Sequence, residues 1–178
     1  QAIQWIGRAA AGGFAPAQHE LARRYREGRG MTKDLVASQA WLDRAARGGW
    51  VASQLLPGQM LERGESGIQD IQGAMMVYRA AGQQGSAEAQ FRLAQLLEAG
   101  AAGEPDNVTA YALYKNVTKV EVPAGNEDAK KTRDAAAARV AELKNKLTAE
   151  ELKKAEDALK GQPSGADAKP KEPAPKKN

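Results

Sequence analysis

Residues 17–49 read AQHELARRYREGRGMTKDLVASQAWLDRAARGG, and this stretch decides the fold. Ala17, Leu21, Ala22 and Tyr25 fall at i, i+4, i+5 and i+8, one apolar stripe of a short helix. Gly28 and Gly30 supply the left-handed or otherwise strained backbone that ends it. Asp34 is placed to cap a second helix, because its carboxylate can accept from the open amides of the first turn. That helix runs to about residue 47, buries Ser38, Trp41, Leu42 and Ala45, and closes at Gly48-Gly49.

The same pattern recurs on either side. Trp5 and Trp41 are 36 residues apart, and Val77 and Leu113 continue the series. Arg8-Ala9-Ala10, Arg44-Ala45-Ala46 and Arg79-Ala80-Ala81 follow, the last with one residue fewer before the arginine. Gly13, Gly49 and Gly85 keep the period, as do Gln18, Gln54 and Gln90, then Gly28, Gly64 and Gly100, then Asp34, Asp70 and Asp106. Two short helices cannot bury their apolar faces alone, so units of this kind must stack. The spacing predicts helix pairs at 16–27 and 34–48, 52–63 and 70–84, and 88–99 and 106–118. It also predicts Trp5 and Trp41 substantially buried between successive units.

With these residues in view, the chain resembles the Sel1-like repeats, relatives of the tetratricopeptide repeats. The resemblance rests on Ala17, Leu21-Ala22, Tyr25, Gly28-Arg29-Gly30, Asp34, Trp41, Arg44-Ala45-Ala46 and Gly49. In the third unit Ala89, Leu93-Ala94, Leu97, Gly100, Asp106, Ala110 and Tyr114 carry it. It implies an all-α fold, an α-solenoid of antiparallel helix pairs. The expected organisation is the end of a preceding repeat helix at 1–13, three repeats at 14–118, capping helices at 119–161 and a disordered Lys/Pro-rich tail at 162–178.

The second unit departs from the pattern. Pro57-Gly58 stand where Leu-Gly belongs, and an interior proline removes an amide donor and crowds the preceding turn. The first helix of that unit is therefore expected to be kinked or to start late. After Thr118 the repeat stops. Residues 126–147 read as a long helix with Ala129, Ala136, Val140, Leu143 and Leu147 on one face. Thr148 to Glu151 form a capping box, with Leu147 and Leu152 as its staple. A last helix carries Leu152, Ala155 and Leu159 and stops at Gly161.

Composition agrees with helices. Thirty-six of the 178 residues are alanine, while Val, Ile and Leu number 26 together, which disfavours a sandwich or barrel. No run of about 18 apolar residues offers a membrane span. Cysteine is absent, so disulfides and thiolate metal sites are excluded, and both bacterial cytoplasm and periplasm remain open. The chain opens at Gln1 inside a helical pattern; it reads as a processed chain or a fragment, with the periplasm favoured if a signal peptide precedes Gln1. Half of the net charge of +4 sits in residues 161–178, so the repeats themselves lack the concentrated basic face of a nucleic-acid binder.

The catalytic inventory is small. His19 is the one histidine, and there is no phosphate loop, dinucleotide fingerprint or Gly-x-Ser-x-Gly elbow. Glu150 with Glu151 and Glu156 with Asp157 read as charges on a solvated face among lysines. Two Asn-x-Thr sequons, at Asn107 and Asn116, fall inside a helix and read as coincidence. Neither a cofactor nor a metal is expected.

What remains is surface. In tetratricopeptide relatives the first helix of each unit lines a concave groove. Carried over by position, that implies one row of His19, Leu55 and Phe91, a second of Arg23, Gln59 and Gln95, and a third of Arg26, Glu62 and Glu98. Apolar residues flanked by amides and opposite charges suit a bound peptide or helix; the competing reading has Leu55 and Phe91 packing against neighbouring units. The expected function is a non-catalytic adaptor that binds a protein partner in a bacterial complex or signalling pathway. Two alternatives stand beside it. One is a cell-envelope enzyme of the lactamase-like type described for Cys-rich relatives, whose disulfides this chain lacks; the other is an RNA-binding helical repeat.

Overall fold

The computed structural model describes residues 2–48, 50–65 and 67–160, so the tail expected to be disordered and the helix stop at Gly161 lie outside the described residues. Within them the chain is helical without a strand: α1 (Ala2–Ala11), α2 (Ala15–Glu27), α3 (Leu35–Arg47), α4 (Val51–Arg63), α5 (Ile71–Gln83), α6 (Ala87–Glu98), α7 (Asn107–Thr118), α8 (Glu127–Lys146) and α9 (Ala149–Lys160). The chain divides into two compact units, the first reaching Asp70 and the second beginning at Ile71.

Local chemistry sets the helix ends. Asp34 caps α3 by accepting from the amides of Val36 and Ala37, both at 2.9 Å. Asp106 and Asn126 cap α7 and α8 in the same way, through Thr109 and Ala129. Before α9, the Thr148 amide and hydroxyl both donate to Glu151 at 2.8 Å, and the Glu151 amide donates back to Thr148 at 3.3 Å. Gly28 ends α2 at φ +70°, a conformation glycine adopts without steric cost.

The turns that enter α2, α4 and α6 are copies of one another. The amides of Phe14, Trp50 and Ser86 donate to the carbonyls of Ala9, Ala45 and Ala81 at 3.0–3.1 Å. All three cap residues have nearly the same extended backbone. Ser86 accepts from the Ala89 amide, whereas Phe14 and Trp50 make no side-chain cap bond. A polar cap of that kind contributes about 1 kcal/mol.

In the first unit α2 packs on α1 and α3, and α3 on α4. Its core joins Ala22, Leu42, Leu56 and Met60, with Leu35 and Trp41 packed against them. Ser38 donates to the Ala22 carbonyl at 2.8 Å, a buried bond across the α2–α3 contact. Trp5 departs from expectation: it is 68% exposed. The register is that of Trp41, but α3 has helices on two sides whereas α1 packs chiefly on α2. At Pro57 the late start does not occur, since α4 begins at Val51 and runs through the proline to Arg63.

In the second unit α7 is the central helix, contacting α6, α8 and α9. It buries residues 110–114 together with Asn116 and Val117, and Leu113 is buried as the series predicts, while Val77 is half-buried. Small residues dominate the surroundings, with Ala74, Ala81, Ala89, Ala94, Ala136 and Ala155 all buried. Glu156 is exposed as expected, and Lys115 of α7 donates to it at 2.6 Å.

Glutamines tie the first and third repeats to the helix before them. Gln18 donates to the Ala10 carbonyl at 3.0 Å, and Gln90 donates to the Gly82 carbonyl at 2.9 Å. Both glutamines are buried, and Gln90 also accepts from Asn116, which removes that sequon asparagine from the surface.

Candidate partner-binding surface

Helices α2 and α4 place six of the singled-out residues in the first unit. His19, Arg23 and Arg26 lie on α2; Leu55, Gln59 and Glu62 lie on α4. The two helices are joined directly, because His19 Nδ1 stands 2.9 Å from Ser53 Oγ, a hydroxyl buried on α4. Burial, and after it the neighbouring Arg23 charge, hold the imidazole below its usual 6.5, while Glu20 pulls the other way. Ser53 is fully buried, so its hydroxyl is closed to an incoming substrate and the contact with His19 is a structural one.

Arginines surround this join. Arg23 is half-exposed and within ion-pair reach of Glu20 and Glu27 on its own helix. Arg26 is more deeply set, its side chain 15% exposed, and it faces Glu27 at 3.5 Å and Glu65 beyond α4 at 3.8 Å. Its Nη1 is buried without a hydrogen-bond acceptor. Leu55, Gln59 and Glu62 are each half-buried.

The second unit holds the other three. Phe91 is half-buried on α6 and meets Tyr114 edge to face, with ring centroids 5.5 Å apart. Gln95 is exposed one turn on. The Glu98 side chain is 12% exposed, and its carboxylate accepts from the Tyr114 hydroxyl at 3.1 Å and from the Arg139 guanidinium of α8. Burial and the Glu98 charge raise the Tyr114 hydroxyl far above its usual 10.0. Gln95, Glu98, Ala99, Tyr114 and Arg139 line an open cavity of about 400 Å³.

Three contributors escape a reading of the sequence. Arg139 lies 41 residues from Glu98, beyond any local spacing rule. Phe14 and Trp50 are 61% and 39% exposed, and only their shared place after a glycine pair, where the third repeat has serine, marks them.

No helix among the described residues is long and apolar enough to cross a membrane. The family model of the Sel1 repeat matches residues 15–50, 52–86 and 87–116. A crystal structure of a Sel1 repeat protein from Oxalobacter formigenes is similar, at 30% identity and a TM-score of 0.57, over 75% of this chain and 98% of that one. The crystal structure of c5321, a protective antigen present in uropathogenic Escherichia coli strains displaying an SLR fold, is similar at 22% identity with a TM-score of 0.51. It matches over 99% of this chain and 45% of its own. No curated protein matches the chain.

Proposed function

The chain belongs to the Sel1 repeat family, and from that premise we propose that it is a non-catalytic adaptor holding a partner peptide or helix on the first helices of its repeats. Sel1 repeat proteins generally mediate protein–protein interaction and are typically scaffolds. The finer reading assigns contact to His19, Arg23, Arg26, Leu55, Gln59 and Glu62 in the first unit and to Phe91, Gln95 and Glu98 in the second. Helices α8 and α9 then serve as the cap that a stack of repeats requires at its end.

One observation carries the reading. The His19–Ser53 contact joins α2 to α4, the first helices of consecutive repeats, and Arg23, Leu55, Gln59 and Glu62 on those helices are each half-exposed. Leu55 gives such a surface an apolar anchor, and Arg23 with Glu62 gives it charges of both signs. Anchors of that kind concentrate binding energy while the polar residues around them exclude water.

The test is selection of peptides from a random displayed library on the full chain, followed by affinity measurement on variants. Leu55→Asp or Arg23→Glu should weaken the selected peptides by about tenfold or more. Gln39→Ala, on α3, should leave affinity unchanged. Peptides that ignore the α2 and α4 changes and depend on Gln39 would move the binding face to the second helices.

A further inference from the structure

Three copies of one turn enter α2, α4 and α6, and they differ at a single telling place. The cap residue is Phe14, then Trp50, then Ser86, on the same backbone with the same amide bond to the preceding helix. Serine uses its oxygen to cap the helix. Phenylalanine and tryptophan cannot, and they leave 61% and 39% of their surfaces in solvent. The first two turns therefore give up a stabilising bond in order to display an aromatic ring. Trp50 opens α4 directly after α3, and it remains 39% exposed although α3 and α4 pack on one another.

The two turns that carry these rings lie together in the first unit. A methyl placed on Gly48 would stand 3.0 Å from the Ala15 Cβ, so the turn that carries Trp50 lies against the residue that follows Phe14. Arginines precede both turns: Arg8, Arg44 and Arg47 are all exposed near the ends of α1 and α3. Arg44 already lies over the Trp41 ring at 4.5 Å, and Arg8 over Trp5 at 5.4 Å. The segments 5–19 and 44–61 contain no acidic residue. Asp43, the nearest acid on α3, accepts a bond from Gln39. Acids resume at Glu20 and Glu62, further down α2 and α4.

We propose that this pair of turns, with Phe14 and Trp50 and the preceding Arg8, Arg44 and Arg47, docks the protein on an anionic lipid surface. Aromatic rings settle at the boundary between headgroups and acyl chains, and arginines reach the phosphates around them. Two neighbouring aromatic turns with three exposed arginines and one flanking acid, Asp43, carry a net positive charge that complements a negative surface. Each arginine near such a surface adds attraction that salt screens. The docking is peripheral and independent of the peptide-binding reading, whose residues lie further along α2 and α4.

Vesicle flotation with the full chain tests it, using phosphatidylcholine alone and phosphatidylcholine with about one third phosphatidylglycerol. The protein should float with the anionic vesicles, stay down with the neutral ones, and be released as sodium chloride rises from about 50 to 300 mM. The variant F14S/W50S takes the residue of the third turn at both places, so its melting temperature should hold or rise, yet its partitioning should fall about tenfold or more. Arg47→Glu, a second variant on an exposed side chain, should lower partitioning about fivefold or more. Wild-type protein that ignores anionic vesicles overturns the proposal. Vesicle binding that F14S/W50S leaves intact overturns it as well, since attraction would then come from basic residues elsewhere. A chain that ignores vesicles but loses a selected peptide in F14S/W50S makes these turns a protein contact instead.

Discussion

Arg139 of α8 grips both carboxylate oxygens of Glu98 at the end of α6, across 41 positions of sequence. The same guanidinium also reaches Glu142 at 2.6 Å, and the Tyr114 hydroxyl donates to Glu98 from the other side. A helix outside the repeat pattern is thus fastened to the last repeat by a fork-to-fork ion pair, the geometry in which arginine is strongest.

Removing both partners should therefore cost less than the two single removals added together. Arg139→Ala is expected to destabilise the protein by about 1–2 kcal/mol, since it leaves a largely buried carboxylate facing Tyr114. Glu98→Ala combined with Arg139→Ala should fall short of the sum of the single changes by about 1 kcal/mol. Urea unfolding of the four proteins measures this coupling.

His19 predicts the response to acid. Its folded pKa lies below 6.5, so in the window beneath 6.5 the unfolded chain takes up the proton first. The stability that the neutral ring supplies is complete above 6.5 and is lost as pH falls through the folded value. His19→Gln should flatten the decline in stability between about pH 7 and pH 5 relative to wild type. Histidine signals in a proton NMR titration should place the folded value below the unfolded one.

The two tryptophans that share a register should behave differently. Trp41 packs on the core of the first unit beneath Arg44, and Trp41→Ala should cost about 2–3 kcal/mol. Trp5→Ala should cost less than about 1 kcal/mol, as exposed positions do. Equal losses in denaturant unfolding would contradict the packing described for α1.

Pro57 sits inside α4, where it withholds an amide from the helix. Pro57→Ala should raise stability by about 1–3 kcal/mol and increase the helical signal in circular dichroism. A fall in melting temperature would show that the ring packs too well to replace.

The repeat and its helices were legible because they rest on local rules. Asp34 caps where an aspartate before an apolar stripe should, and Thr148 and Glu151 bond reciprocally as their spacing implies. Trp5 was misjudged because burial depends on neighbours, and periodicity describes a helix without saying how many helices surround it. Pro57 does not delay the start of α4, and Leu56 and Met60 on either side of it are packed into the core of the first unit. At the candidate surface the sequence could place His19 and Leu55 on adjacent first helices, but it offered no sign that Glu98 is committed to Arg139. Phe14 and Trp50 went unnoticed because aromatic residues read as core unless their place in a turn is compared across repeats.

Gln18 and Gln90 fasten the first and third repeats to the helix before them through a main-chain carbonyl, at Ala10 and at Gly82. A carbonyl is the same on every residue, so the bond itself specifies no partner side chain; the demand falls on size, since a Cβ at Gly82 would stand 2.9 Å from the Gln90 Cγ. The fastener works like a standard fitting: a duplicated or transplanted unit brings its own plug and finds a socket where the facing residue is small. Units joined only by paired side chains would have to change two positions together at each duplication, a constraint that a glutamine-to-carbonyl bond relaxes.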